Sequence, residues 1–225
     1  MVKNTNSLIR GKIYGSLGGD IEDLELHPNR PLPLTIKALD EETFKNAAAA
    51  AGLAFRVFLA GPYIETTGKR PGAGERNKAK RLRYDLHTRL GNLGWTVTMG
   101  EYEKLVGAAH PLLGARTTAA NAELLHARQH ADAVVMLPSS PGSFLELGAF
   151  ALYDDVCQKM LILIDKKHEA DPPNYLNSGP LRGAAHLGAK IRYVEYNDTD
   201  ACWDDVKEFV LDQGNRVAEK KLLAP

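Results

Sequence analysis

The segment PSSPGSFLELG, residues 138–148, gathers the groups from which a reaction could be built. Pro141-Gly142 makes a turn after an apolar run and Ser143 opens a helical pattern, so backbone N–H groups at a helix start face whatever lies beyond the strand. Glu146 would fall in the first helical turn, where a carboxylate can act as a nucleophile or steady developing positive charge. The same Ser143-x-x-Glu146 spacing is also a capping box, in which the glutamate binds backbone and does no chemistry. A second loop, AGPYIETTGKRPGAGER at 60–76, follows another apolar run. It is no P-loop, because six residues rather than four separate Gly61 from Gly68-Lys69 and Arg70 replaces the hydroxyl that would hold magnesium. It also lacks a GxGxxG fingerprint. Its Lys69, Arg70 and Arg76 suit phosphate charge, and the competing reading is a solvated basic loop. His126 and His130 share a helix face without a third ligand, so no metal site is expected. The cations from Arg76 to Arg83 read as a solvated face, and Asp132 as a cap for the preceding helix or its turn.

Alternating elements must position these loops. A helix capped by Asp40 and stopped at Gly52 links a Gly- and Pro-punctuated arm to the rest. Strands are expected at 56–62, 95–99, 132–137, 159–165 and 190–196. Between them, Ala79 to Leu93, Thr117 to His130 and 143–155 read as helices, and Trp203 to Val217 as the last. Strands that are apolar throughout and alternate with helices imply a flavodoxin- or Rossmann-like doubly wound sheet of five parallel strands, order 2-1-3-4-5, with ligands outside the carboxyl ends of strands 1 and 3. Residues 1–52 form the N-terminal arm and connector, and 53–225 the α/β domain. The segment 172–188 is long for a connection and is read as a lid, a subunit contact or an ordinary surface loop.

Composition narrows the classes. Lys plus Arg and Asp plus Glu both total 28, so no global charge draws the chain to nucleic acid or an anionic membrane. The longest stretch without Lys, Arg, Asp or Glu, Ala133 to Leu145, is 13 residues and contains two prolines, too short to cross a bilayer. The amino-terminal residues show no apolar signal core, and Cys157 and Cys202 lack metal-ligand spacing, which points to a cytoplasmic protein with reduced thiols.

LAGP after the first strand, followed by ADAVVMLPSSPGSFLELGAFA, resembles the nucleoside 2-deoxyribosyltransferase family and its hydrolytic relatives, the 2′-deoxynucleoside 5′-monophosphate N-glycosidases. PGSFLELG is also similar to deoxyribosyltransferase-like effectors of bacterial retrons, which are associated with phage defence. The resemblance implies that Glu146 is the nucleophile toward the sugar C1′, within a motif matched by Gly142 and Ser143. Six residues before it the transferases carry an Asp, whereas the monophosphate glycosidases carry a Ser used toward the 5′-phosphate; this chain has Ser140. A second family Asp falls near Asn121, Glu123 and Leu124, so Glu123 or Asn121 becomes the group that handles the leaving base. Tyr63 stands where some members have an aromatic residue, beside Gly61 and Pro62. The resemblance further implies self-association and a nucleotide or nucleoside substrate.

The expectation is therefore cleavage or transfer of the N-glycosidic bond of a deoxynucleoside 5′-monophosphate or of NAD. Lys69, Arg70, Arg76, Ser140 and Ser143 would bind phosphate and sugar. No cofactor is called for. Alternatives are a nucleotide-sensing module without catalysis and a base-exchange transferase, and a nucleic acid or defence-system partner is compatible with either.

Overall fold

The computed structural model describes residues 41–100, 105, 114, 118–169 and 174–223. The expected arm and the Asp40 cap lie outside them. Helix α1 (Glu41–Ala50) begins the described chain. It ends where Gly52, at φ +64°, turns its N–H back to Ala49 O and lets Leu53 N–H reach Ala48 O, a left-handed stop that glycine accepts without a Cβ clash.

The strands are β1 (Arg56–Ala60), β2 (Thr96–Thr98), β3 (Ala133–Met136), β4 (Met160–Asp165) and β5 (Lys190–Val194). They form one all-parallel sheet in the order β2-β1-β3-β4-β5. Val57 aligns with Val97 on one side and Ala133 on the other, and Ile162 with Ile191. The intervening helices are α2 (Lys78–Asn92), α3 (Ala119–Gln129), α4 (Pro141–Phe150), α5 (Asp154–Cys157), α6 (Arg182–His186) and α7 (Thr199–Leu223).

The two-residue period of each strand divides the core between two layers. Val57, Leu59, Val135 and Leu163 pack with Leu82, Leu86 and Leu90 of α2 and with Val206, Phe209 and Val210 of α7. Phe58, Ala60, Val134, Met136 and Ile162 turn the other way, against Ala127 of α3 and Leu147 and Phe150 of α4. Apolar residues on both faces of a strand are thus explained by helices on both faces of the sheet.

Three local expectations are corrected. The helix expected over 143–155 begins earlier, because Pro141 fits the first helical position where no N–H is needed, and it closes at Phe150 before the separate α5. Asp132 does not cap a helix; its Oδ2 accepts the Arg56 N–H at 2.8 Å and ties the starts of β1 and β3 together. Much of 174–188 is not open loop but a wide turn at Asn177–Leu181 running into α6, with Leu181 and Ala184 buried. Among the described residues no helix is long and apolar enough to cross a membrane.

Candidate active site

β1 and β3 point their carboxyl ends at a common crevice, and the connections leaving them must diverge there, which is where a doubly wound sheet opens a binding cleft. A cleft of about 260 Å³ occupies this place. Its floor is Phe58 and Ala60 of β1. Around it stand Gly61, Tyr63, Arg83, Gly100, Glu123, Ser140, Gly142, Ser143 and Glu146.

The wall carrying Glu146 is set by serine chemistry. Ser140 is the N-cap of α4, and its Oγ accepts the Ser143 N–H at 3.3 Å. Ser143, only 1% exposed, accepts the N–H groups of Ser139 and Ser140, both at 2.9 Å, and lies 3.0 Å from Ser140 O, to which its hydroxyl donates. The capping box therefore pairs Ser140 with Ser143, and the role suggested for Glu146 by its spacing is already filled. Glu146 lies in the second turn, half-buried, among the residues lining the cleft. The Ser140 and Ser143 hydroxyls lie 3.0 Å apart, and either can donate to the other. The amides of Ser139 and Ser140 are taken by Ser143 Oγ.

The opposite wall depends on Arg83, read from sequence as part of a solvated face. It is 1% exposed. Its Nε and Nη2 donate to Leu59 O at 3.2 and 2.6 Å, and Nη1 donates to Gly61 O at 3.2 Å and Pro62 O at 2.7 Å. One rigid guanidinium thus fixes the exit of β1. A Cβ on Gly61 would come within 3.2 Å of both Arg83 Cδ and Leu137 O, so the turn packs directly on the end of β3. Asn77 adds a cross-tie: its Oδ1 caps α2 through Ala79 N–H at 3.2 Å, and its Nδ2 donates to Ser139 O at 3.2 Å. Buried polar residues such as these are hard to find by pattern, since Arg83 sits beside four cations, Arg76, Lys78, Lys80 and Arg81, that share its chemistry but not its burial.

Glu123 supplies a second carboxylate. It is 5% exposed on α3, against Gly100 at the end of β2. The helix is held there by His126, whose Nε2 lies 2.8 Å from Thr98 Oγ1 and whose ring meets Phe58 edge-on at 5.6 Å. Burial, then the charges of His130, Arg56 and Lys159, lower the His126 pKa to about 4, so the ring is neutral at neutral pH.

The other sequence candidates lie elsewhere. Asn121 is exposed on α3 and does not line the cleft. Lys69 and Arg76 are exposed and outside it, and Arg70 makes a two-point ion pair with Asp85, both contacts 2.5 Å. Pro62 is buried behind the wall, contributing its carbonyl to Arg83. Tyr63 lies at the rim, 66% exposed. Both cysteines are buried, which pushes Cys157 up to about 11 and Cys202 to about 12 and leaves them protonated. Among the described residues no cluster of His, Cys, Asp or Glu is arranged to hold a metal ion.

Fold and cleft together define a Rossmann-like α/β protein that brings two carboxylates to its switch-point crevice. Residues 123–222 match the family model described as STM3845 retron effector protein. The chain is also similar to the "Retron Ec86 putative ribosyltransferase/DNA-binding protein" of Escherichia coli, with 37% identity over 51 residues, 23% of this chain and 16% of that protein. The matched stretch is thus a small part of that relative's length. The family match takes in Glu123, Ser140, Ser143 and Glu146, and leaves β1, Arg83 and Gly100 before its start.

Proposed function

We propose that this chain breaks the N-glycosidic bond of a nucleotide-type substrate, as a retron-associated effector. The observation that carries the reading is that Glu146 and Glu123, from different helices, line one cleft at the carboxyl ends of β1 and β3. N-glycoside cleavage passes through an oxocarbenium-like state. Glu146 beneath C1′ stabilises that charge or bonds to C1′ as an ester, while the bonding pair of the C1′–N bond departs with the base. Water then takes the place of the ester oxygen at C1′. Glu123 is the proton-transfer group: it gives a proton to a base that would otherwise leave as an anion, or takes one from the attacking water.

Among the described residues the cleft lining has two carboxylates against one guanidinium, and the loop cations stand outside it. This balance favours a scissile base that already carries positive charge, as nicotinamide does in NAD. Such a base leaves neutral, and the hydrolysis releases a ribosyl product, the base and one proton. The Ser140 hydroxyl is the donor assigned to a sugar or phosphate oxygen. Self-association that completes the cleft, and a nucleic-acid or protein partner that controls it, belong to the same reading.

The test is incubation of the purified protein with NAD, deoxynucleoside 5′-monophosphates and deoxynucleosides, following released base chromatographically. Base release from one class, lost in Glu146→Gln, is the expected result. All substrates intact, with and without a partner from its retron, would defeat the proposal. Sedimentation at micromolar concentration reads the oligomer, and a fully active monomer would remove that part.

A further inference from the structure

We infer that Gly100 is a positioning residue whose missing side chain seats the Glu123 carboxylate in the cleft. The inference rests on the role proposed above for Glu123.

Glycine is placed in proteins for two distinct reasons, unusual backbone angles or close approach. Gly100 is not among the glycines with positive φ, so its backbone does not demand the residue. Space does. A Cβ built there would overlap Glu123 Oε1 and stand 2.6 Å from Cδ and 3.3 Å from Cγ, well inside the roughly 3.5–4.0 Å at which carbon atoms pack.

The overlap follows from how α3 is docked. His126 meets Thr98 Oγ1 at 2.8 Å, and Thr98 Oγ1 also lies 3.3 Å from Val57 O, which fixes the helix height against β2 and β1. One turn back along α3 is Glu123. Two residues on from Thr98, at the turn that follows β2, is Gly100. The carboxylate is thereby laid across the bare Cα at the mouth of β2. Its exposure of 5% shows that the surrounding walls enclose it as well.

Gly100→Ala tests this with little risk to the fold, because the overlapping atoms are the far end of a flexible side chain rather than backbone. Three measurements are made on the full chain. Thermal melting should stay within a few degrees of wild type. The ¹³Cδ resonance of Glu123, assigned by its absence in Glu123→Gln, should move in Gly100→Ala. On the substrate identified above, kcat should fall about a hundredfold or more, the range of a lost proton-transfer group, with KM changed less than about threefold. In a Glu123→Gln background, adding Gly100→Ala should leave kcat nearly unchanged, because one role is removed only once.

An unmoved Glu123 resonance in Gly100→Ala overturns the inference. Losses that multiply in the double variant overturn it too, since Gly100 would then act on the substrate directly. The resonance does not depend on catalysis, so it decides the placement even if wild type releases no base, an outcome that would sink the proposed function instead.

Discussion

Glu146 has two candidate explanations in the sequence, and the capping one is taken by Ser140 and Ser143 on the helix where it stands. Glu146→Gln should therefore melt within a few degrees of wild type while base release falls by several orders of magnitude. Near-normal cleavage by that variant would remove the glutamate from the chemistry. Ser143→Ala tests the other half. It strands two amides and should lower stability by about 1–2 kcal/mol, a drop of several degrees in Tm. An unchanged Tm would mean that water replaces the hydroxyl. Arg83→Met removes the guanidinium that donates to the Leu59, Gly61 and Pro62 carbonyls and should cost at least about 2 kcal/mol, measured by urea unfolding. A smaller loss would show the turn to be self-supporting. At this scale the sequence pointed to Ser140 and Glu146, which the structure places along the cleft. It hid Arg83, Asn77 and Gly100, whose roles depend on neighbours 21 to 62 positions away, as in Arg83 to Pro62 or Gly61 and Asn77 to Ser139.

The strands were legible because burial on both faces leaves apolar runs such as AVVM and MLILID. Helix boundaries were less so: the expected start at Ser143 lies two residues inside α4, since Pro141 can begin a helix as readily as end a loop. The position of α3 relative to the sheet was not legible at all, resting on the contact between His126 and Thr98. That contact carries a pH signature. His126 stays neutral in the folded chain down to about pH 4, whereas the ordinary value is 6.5. Between these values the unfolded chain binds the extra proton, so stability falls as pH is lowered from 6.5 toward 4. His126→Gln keeps a polar group near Thr98 without titrating, and its Tm should fall less steeply over that window. Identical slopes for the two proteins would assign the acid sensitivity to other groups.

For the molecule as a whole, β3 is the middle strand of five, yet the family match begins only one helix before it. A fragment of residues 118–223 would expose the flank of β3 that β1 covers and lose the α2 layer. It should show no cooperative thermal transition by circular dichroism, whereas 41–223 should. A cooperative melt of the shorter fragment would mean that β3 to β5 form a self-sufficient unit.

The two outer strands differ from the inner three. β2 is three residues long. β5 carries Lys190 and Arg192, held 3.3 Å from Asp212 and 3.1 Å from Asp205 of α7. A short margin and a row of anchored cations are both ways of discouraging a foreign peptide from zipping onto the backbone. Extension of the ladder by a second chain is thereby disfavoured, so that any recognition of this surface falls to side chains that can be rewritten one residue at a time without unpicking the fold beneath.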